Sequence, residues 1–215
     1  MLYSQNGCCL IACPAKIEGD FEVPAGVKDI GAFAFAGCSL LTSITLPDSI
    51  ENIGRAAFWR CSSAVSINIP SGVSLLGGNV FQECISLKSI ALSPLKNYSI
   101  GWRDFYGCSS LKKVVFPYGV SRIGAEAFRG CSSLKSVVIP SSVTEIDEKA
   151  FYDCSMLKSV IIPSSVKSMG YCAFDACRSL KKIYCQVDNR PTGWSVEWEY
   201  RNTRVYWGTK KNKKL

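Results

Sequence analysis

The chain has 215 residues, of which 47% are hydrophobic and 20% are charged, and this composition is typical of a globular protein with a sizeable core. Histidine is absent, so the commonest general acid or base and the commonest metal ligand are both missing, and we predict no enzymatic activity and no cofactor or metal site. Half of the net charge of +8 comes from Lys210, Lys211, Lys213 and Lys214 in a basic tail at residues 210–215, which we interpret as a solvated terminus.

Residues 1–19 are predicted to form an N-terminal cap. Within them, Cys9-Leu10-Ile11-Ala12 is typical of an edge strand that closes the start of a fold. Residues 1–7 lack the basic region and apolar stretch of a secretory signal, and no run of 18 apolar residues occurs. We therefore predict no membrane span and no export signal, and a cytoplasmic protein and an exported protein with its leader removed remain alternatives.

A pattern of 23 residues, once 24, recurs seven times from residue 20 to residue 185. Each repeat carries a proline, a phenylalanine and, three residues after the phenylalanine, a cysteine. The prolines are Pro24, Pro47, Pro70, Pro94, Pro117, Pro140 and Pro163, the phenylalanines are Phe35, Phe58, Phe81, Phe105, Phe128, Phe151 and Phe174, and the cysteines are Cys38, Cys61, Cys84, Cys108, Cys131, Cys154 and Cys177. The longer spacing falls between Leu92 and Gly101, where we predict a one-residue surface bulge.

The unit at 134–154 shows what each repeat encodes. Apolar residues alternate with others around Val137 and Ile139, which predicts a short strand with one buried face. Pro140 ends that strand because it lacks an N–H group. The apolar spacing then changes to that of a short helical or 3₁₀ segment, with inward residues Ile146, Ala150, Phe151 and Cys154.

A single coil of this length cannot bury its own apolar face, so successive coils must stack. We predict one α/β repeat solenoid domain over 1–215, with a parallel sheet on one side and short helical or 3₁₀ segments on the other. The strands that we count, from the one near Phe21 to the one near Ile183, give a sheet about 35 Å long. Most coils have a glycine at one turn position, which predicts a positive φ or a tight turn. These glycines are Gly31, Gly54, Gly77, Gly101, Gly124 and Gly170, and Asp147 takes the position in the remaining coil.

Residues 186–209 are predicted to form a degenerate C-terminal cap. Val205-Tyr206-Trp207 follows Ile183-Tyr184-Cys185 by 22 residues and is typical of a final strand. Trp194 and Trp198 lie four residues apart, a spacing that suits two rings which plug the last open coil. An aromatic ligand site is the alternative for these two rings.

Several segments of the unit resemble a known family. These are Ile-Pro-Ser-Ser-Val at 139–143, Ala-Phe at 150–151, Cys-Ser-Ser-Leu at 131–134 and the terminal Val205-Tyr206-Trp207-Gly208. They resemble the BspA-type leucine-rich repeat of bacterial and some protist surface proteins. The resemblance implies a right-handed solenoid, a cell-surface or secreted setting, adhesion to host or neighbouring-cell proteins, and no catalytic residues.

Seven of the twelve cysteines occupy one equivalent position in successive repeats. We predict that this cysteine ladder consists of buried, free thiols that act as small apolar side chains and donate weakly to loop carbonyls. Disulfides are one alternative. A metal site is the weaker alternative, because no Cys-x-x-Cys pair occurs.

A second ladder stands four residues after the repeat cysteines. We name it the lysine ladder, and it consists of Lys88, Lys112, Lys135, Lys158 and Lys181, whereas the first two repeats have Thr42 and Val65 at this position. Stacked like charges destabilise a fold, so an anionic partner is one interpretation. The other is that a solubilising surface lysine was copied when the repeat duplicated.

Aromatic residues stand two positions before three of the ladder cysteines, at Trp59, Tyr106 and Tyr152, in a row that Gln82 and Arg129 interrupt. Exposed aromatic and arginine side chains are favoured interface anchors. They pack equally well over neighbouring turns, so both interpretations stay open.

These patterns predict a monomeric, non-enzymatic interaction module whose partner is a protein, such as a host, neighbouring-cell or matrix protein. One alternative is a binder of polyanions, either sulfated glycan or nucleic acid, through the lysine ladder. The other alternative is an intracellular scaffold.

Overall fold

The computed structural model describes residues 1–92, 99–116 and 119–209, which wind into a solenoid of about eight coils. The core runs through the middle of every coil and contains the inward Leu, Ile, Val, Phe and Cys side chains of the repeat. The predicted bulge at 93–98, the prolines Pro94 and Pro117, and the basic tail at 210–215 lie outside the described residues.

The described residues form seventeen strands: β1 (Leu2–Tyr3), β2 (Cys9–Ala12), β3 (Gly19–Glu22), β4 (Asp29–Ile30), β5 (Leu41–Thr45), β6 (Asn52–Ile53), β7 (Ser66–Ile67), β8 (Leu75–Leu76), β9 (Ser89–Ala91), β10 (Lys113–Val115), β11 (Arg122–Ile123), β12 (Val137–Val138), β13 (Glu145–Ile146), β14 (Ser159–Ile162), β15 (Ser168–Met169), β16 (Lys182–Cys185) and β17 (Arg204–Tyr206).

The strands form two walls of the solenoid. The first wall contains the sheets β3-β5-β7, β9-β10 and β12-β14-β16-β17, and the second wall contains β1-β2-β4-β6-β8 and β11-β13-β15. Apart from β1, which pairs antiparallel with β2, neighbouring strands are parallel and paired about one repeat apart, as in Val137↔Val160↔Ile183. The predicted strands from Phe21 to Ile183 make up the first wall together with β17. Of the second wall, only β2 was predicted, because most of the other strands have two residues and show no alternation.

A turn wall closes each coil, and here the predicted helical or 3₁₀ segments are wrong, because the described residues contain no helix. The backbone N–H groups of the turn wall donate alternately to a carbonyl of the next coil and to a carbonyl of their own coil. The Phe151 N–H donates to the Ala173 carbonyl of the next coil at 2.8 Å, whereas the Cys154 N–H donates to Phe151 in its own coil at 3.3 Å. Lys149 and Asp153 have φ of +54° and +56°, as type II turns require and a right-handed helix forbids.

The glycine row begins these turns, but its φ values are not positive, so that part of the prediction is wrong. Glycine is needed at these positions because the backbones of consecutive coils approach closely. A Cβ at Gly54 would lie 2.5 Å from the backbone N of Ala32, and a Cβ at Gly124 would lie 2.7 Å from the carbonyl O of Ile100.

Gly54→Ala is expected to lower the free energy of unfolding by about 1–3 kcal/mol, because the new methyl group forces two coils apart. Gly78→Ala is the matched control, since a Cβ there meets nothing within 4 Å and its φ is not positive. We expect the control to change stability by less than about 0.5–1 kcal/mol. Urea unfolding measures both variants, and equal losses would contradict a role for coil spacing.

The N-terminal segment differs from its prediction in one respect. β2 is a strand, but it is not the edge of the sheet, because β1 pairs antiparallel with its outer side through Leu2↔Ala12 and Tyr3↔Leu10. Its other side pairs in parallel with β4. The second wall therefore begins with a short antiparallel strand that the sequence pattern did not reveal.

At the C-terminal end, the two predicted tryptophans lie in the core. Trp194 and Trp198 are 3% and 2% exposed. The Trp198 ring meets Phe174 edge-on at 6.2 Å, and the Trp194 Nε1–H donates to the Val166 carbonyl at 3.3 Å. The indoles thus cover the last phenylalanine of the repeat.

Candidate functional site

The cysteine ladder lies inside the solenoid. All seven side chains are buried and free. From the second coil onward, each thiol donates to the carbonyl of the phenylalanine in the preceding coil, as Cys131 does to Phe105 at 3.2 Å and Cys154 to Phe128 at 3.3 Å. Cys38 reaches the Cys13 carbonyl at 3.6 Å in the same way. The ladder therefore ties neighbouring coils together.

Burial also disfavours the thiolate form of four ladder cysteines. It raises the pKa of Cys38 to about 12, and it raises the pKa of Cys84, Cys108 and Cys131 well above the usual range. The thiolate is both the nucleophile and the metal ligand of cysteine, so a neutral buried thiol performs neither role. Within the described residues, no group of three or more Cys, Asp or Glu is arranged to hold a metal ion.

The lysine ladder lies on the solvent face of the first wall, and all five of its side chains are exposed. Backbone hydrogen bonds join consecutive members: Lys112 N–H to Lys88 O at 2.9 Å, Lys158 N–H to Lys135 O at 3.3 Å, and Lys181 N–H to Lys158 O at 3.1 Å. The ammonium groups therefore project from adjacent coils, about 4.8 Å apart at the backbone.

Three further cations lie beside the lysine ladder on the same face. Lys113, Lys182 and Arg204 are exposed, and Lys182 pairs in register with Arg204. Sequence reasoning missed them because they stand at a position where other coils have serine, so no repeat signal marks them. The C-terminal half of the first wall is consequently more basic than the lysine ladder alone.

An apolar row lies on the strands of the first wall, three residues after each ladder lysine in the sequence. It consists of Ala91, Val115, Val138, Ile161, Tyr184 and Tyr206, and we name it the outward apolar row. Val115 and Val138 are 47% and 74% exposed, whereas Ile161, Tyr184 and Tyr206 are half-buried, and the two tyrosine rings stack at 5.2 Å. The equivalent residues of the first coils are Glu22, Thr45 and Asn68, so the row is apolar only in the later coils.

The first wall differs from the second wall and the turn wall in its ion pairs. Among the described residues, every ion pair lies on the second wall or the turn wall, as between Arg122 Nη2 and Asp147 Oδ2 at 2.7 Å. Within that part of the chain, the lysine ladder has no acidic partner. The basic charge of the first wall is therefore left for solvent or for a ligand.

The aromatic row lies on the turn wall, and its rings are half-buried. Arg129 does not interrupt the row, because its guanidinium stands over Tyr106 at 5.7 Å and over Tyr152 at 5.0 Å. Glu126 Oε2 pairs with Arg129 Nη1 at 3.1 Å and with Arg103 Nη2 at 3.2 Å. These side chains pack across neighbouring coils, which is one of the two interpretations that the sequence left open. At the other end, Trp59 stacks on Arg60 at 4.6 Å.

No helix among the described residues is long and apolar enough to cross a membrane. A search of curated proteins gave no match. A family model described as a BspA type leucine rich repeat region matches residues 16–117 and 98–194, with six copies.

Three solved structures are similar to this chain, all of bacterial leucine-rich repeat proteins. The protein from Eubacterium ventriosum is 27% identical with a TM-score of 0.74, and the match covers 90% of this chain and 50% of that one. The T. pallidum protein is 30% identical with a TM-score of 0.53, covering 84% and 76%. The Bacteroides ovatus protein, 23% identical with a TM-score of 0.58 and covering 92% and 71%, shows the fold alone.

This chain therefore spans about half the length of the Eubacterium ventriosum protein. The family model covers most of the chain, and its matched residues coincide with the 23-residue repeat. The chain belongs to the BspA-type leucine-rich repeat family.

Proposed function

We propose that this chain is a protein-binding module with an adhesive role at a cell surface or outside the cell. We assign its contact site to the C-terminal half of the first wall, where the lysine ladder and the outward apolar row lie side by side; we name this site the basic-apolar surface. Membership of the leucine-rich repeat family supports an interaction module. The surface setting and the adhesive role rest on the family resemblance.

The observation that carries the proposal is the outward apolar row. Isolated exposed apolar residues are common, but a contiguous row of exposed and half-buried apolar residues beside unpaired charge is typical of an interaction site. Val138 is 74% exposed, and two stacked tyrosines end the row, which supplies the aromatic anchors that interfaces favour. The site therefore combines apolar contact area with charge that directs the partner.

The outward apolar row also favours a protein over a polyanion. A sulfated glycan or a nucleic acid gains binding energy from the charges of the lysine ladder. It would also place a charged backbone over Val138 and Ile161, and it gains no energy from burying these apolar side chains. Binding to such a polymer depends on counterion release and weakens steeply with salt. A protein with acidic and apolar side chains matches both halves of the site.

We propose no catalytic role. The thiols of Cys108 and Cys131 are buried, and burial raises their pKa, so they are poor nucleophiles. Interaction modules are typical of this family. A hydrolysis screen of the purified chain is expected to show no activity above background.

A differential pull-down tests the proposed contact site. The bait is immobilised wild-type protein, exposed to cell-surface and extracellular-matrix extract at low and high salt. We expect Lys135→Glu/Lys158→Glu/Lys181→Glu and Val138→Ser/Ile161→Ser each to lower the affinity for the captured protein at least about tenfold, which is about 1.4 kcal/mol. Lys167→Glu is the matched charge control, because Lys167 is exposed outside the first wall and is expected to leave capture unchanged.

The two surface variants separate the hypotheses. Capture that is lost with the lysine variant and at high salt, but kept by the apolar variant, would favour the polyanion alternative. Capture that neither variant affects would refute this contact site. The three lysines and Val138 are exposed and Ile161 is half-buried. Urea unfolding should therefore give the lysine variant the stability of the wild type to within about 0.5 kcal/mol, and the apolar variant a loss of about 1 kcal/mol.

A further inference from the structure

The spacing of the outward apolar row limits what can lie on it. Its members project from consecutive coils and are therefore about 4.8 Å apart along the solenoid axis. From Val115 to Tyr206 the row crosses five coils, and so it is about 19 Å long. A ligand that follows this row must present apolar groups at nearly the same interval.

An α-helix meets that requirement better than an extended peptide does. One face of a helix presents a side chain about every 5.4 Å, which differs from the coil spacing by about 0.6 Å per coil. An extended peptide presents same-face side chains about every 6.6 Å, so it drifts by about 1.8 Å per coil and is out of register within three coils. A helix of about 13 residues spans the row from Val115 to Tyr206.

The width of the surface fixes which flank of the helix carries charge. Lys135 precedes Val138 by three residues, as Lys158 precedes Ile161, so the backbone of the lysine ladder lies no more than about 10 Å from that of the outward apolar row. A helix is about 10–12 Å wide. With its apolar stripe on the row, one flank therefore stands over the lysine ladder, where Asp or Glu side chains can pair with ammonium groups.

The charge along the first wall also determines which coils an acidic ligand can cover. In the first coil, the Asp20 carboxylate accepts hydrogen bonds from the Thr42 and Ser43 hydroxyls at 2.6 and 2.7 Å, and Glu22 is exposed beside it. At the other end, Lys182 and Arg204 flank the stacked tyrosines. An acidic ligand is therefore repelled from the first coil and attracted to the last coils.

We propose that the basic-apolar surface binds an acidic amphipathic helix of a partner protein, which lies along the solenoid axis with one helical turn over each coil. Its apolar stripe packs on Val115, Val138, Ile161, Tyr184 and Tyr206, and its acidic flank faces the lysine ladder. This inference rests on the proposed function and specifies the partner's chemistry. An extended acidic peptide and a polyanion are the competing ligands.

Two displayed peptide libraries test this inference. Both contain peptides of about 16 residues, enough for about four helical turns, with the same amino-acid composition. One places its apolar residues at i, i+3, i+4 and i+7, and the other alternates them at i and i+2. Each library is selected on the full chain, with counter-selection on the Val138→Ser/Ile161→Ser variant.

We expect enrichment from the helix-patterned library, with Asp and Glu concentrated on one flank of the selected peptides. A selected peptide should gain helical circular dichroism on binding and should lose affinity at least about tenfold with Lys135→Glu/Lys158→Glu. Val196→Ser and Lys167→Glu are the matched controls, because Val196 is 70% exposed and both residues lie off the first wall. Neither control should change the affinity.

Other outcomes would overturn the helical ligand, and the proposed function would then be judged by the pull-down. Enrichment from the alternating library, or binding without a gain in helix signal, would replace the helix by an extended ligand. No enrichment from either library would also reject the helical ligand, and the pull-down would then decide by itself whether this surface binds a protein. Inhibition of peptide binding by heparin, together with capture that the lysine variant loses and the apolar variant keeps, would assign the site to polyanions.

Discussion

Phe128→Ala is expected to lower the free energy of unfolding by about 3–5 kcal/mol. Phe128 is fully buried, and its ring stacks on Phe105 at 5.1 Å and on Phe151 at 5.2 Å, with Phe116 edge-on at 5.7 Å. Truncation removes contacts in three neighbouring coils and leaves a cavity too apolar to be filled by water.

Equilibrium unfolding in urea measures the effect of Phe128→Ala. Phe33→Ala is the matched control, because the Phe33 ring is 50% exposed and belongs to the same residue type. We expect the control to change stability by less than about 0.5–1 kcal/mol. A similar loss in both variants would show that the phenylalanine stack is not a principal source of stability.

Trp198→Ala is expected to cost about 3–5 kcal/mol in the C-terminal coils, with less effect on the rest of the chain. Trp198 is 2% exposed and packs against both Phe174 and Trp194, at ring distances of 6.2 and 5.2 Å. The Phe174 N–H also donates to the Trp198 carbonyl at 2.8 Å. Since each coil contacts only its neighbours, loss of this ring should loosen the end of the solenoid first.

Amide hydrogen exchange distinguishes this local effect from a global one. We expect the amides of Cys172 and Phe174, which bond to carbonyls of the last coil, to lose protection while amides of the middle coils keep it. Trp102→Ala is the control, because Trp102 is 47% exposed and its main contact is Arg103 at 4.5 Å, worth about 0.5–1 kcal/mol. Uniform loss of protection would contradict a capping role for Trp198.

The turn wall shows why part of the fold escaped prediction. Ile146, Ala150, Phe151 and Cys154 have the spacing of one face of a helix, and the same spacing arises when two consecutive turns point inward. A clue does exist in the sequence, because the residue before the ladder cysteine is glycine in several coils, Gly37, Gly107 and Gly130, each with positive φ. In the coil of Asp153 that clue is hidden, since a non-glycine residue adopts the same conformation.

Of the basic-apolar surface, the sequence predicted the lysine ladder but not the outward apolar row. Lysine at a repeated position is visible in the sequence, whereas the outward apolar row looks like a continuation of the buried strand pattern. Val137 and Val138 are identical in type, yet Val137 is 2% exposed and Val138 is 74% exposed. Strand alternation assigned Val137 to the buried face and Val138 to the other, and register with Val160 and Ile161 in the next coil shows that Val138 belongs to a row of apolar side chains.

The sequence by itself determined the repeat length, the strands of the first wall, the inward phenylalanine and cysteine positions and the positions of the lysines. It could do so because burial in stacked coils imposes the same residue type at the same place in every repeat. Tertiary structure decided the second wall, the turns in place of helices, and the neighbourhood of lysines and exposed apolar side chains. These features depend on backbone hydrogen bonds between residues about one repeat apart, as between Phe151 and Ala173, and the pattern within a single coil does not specify them.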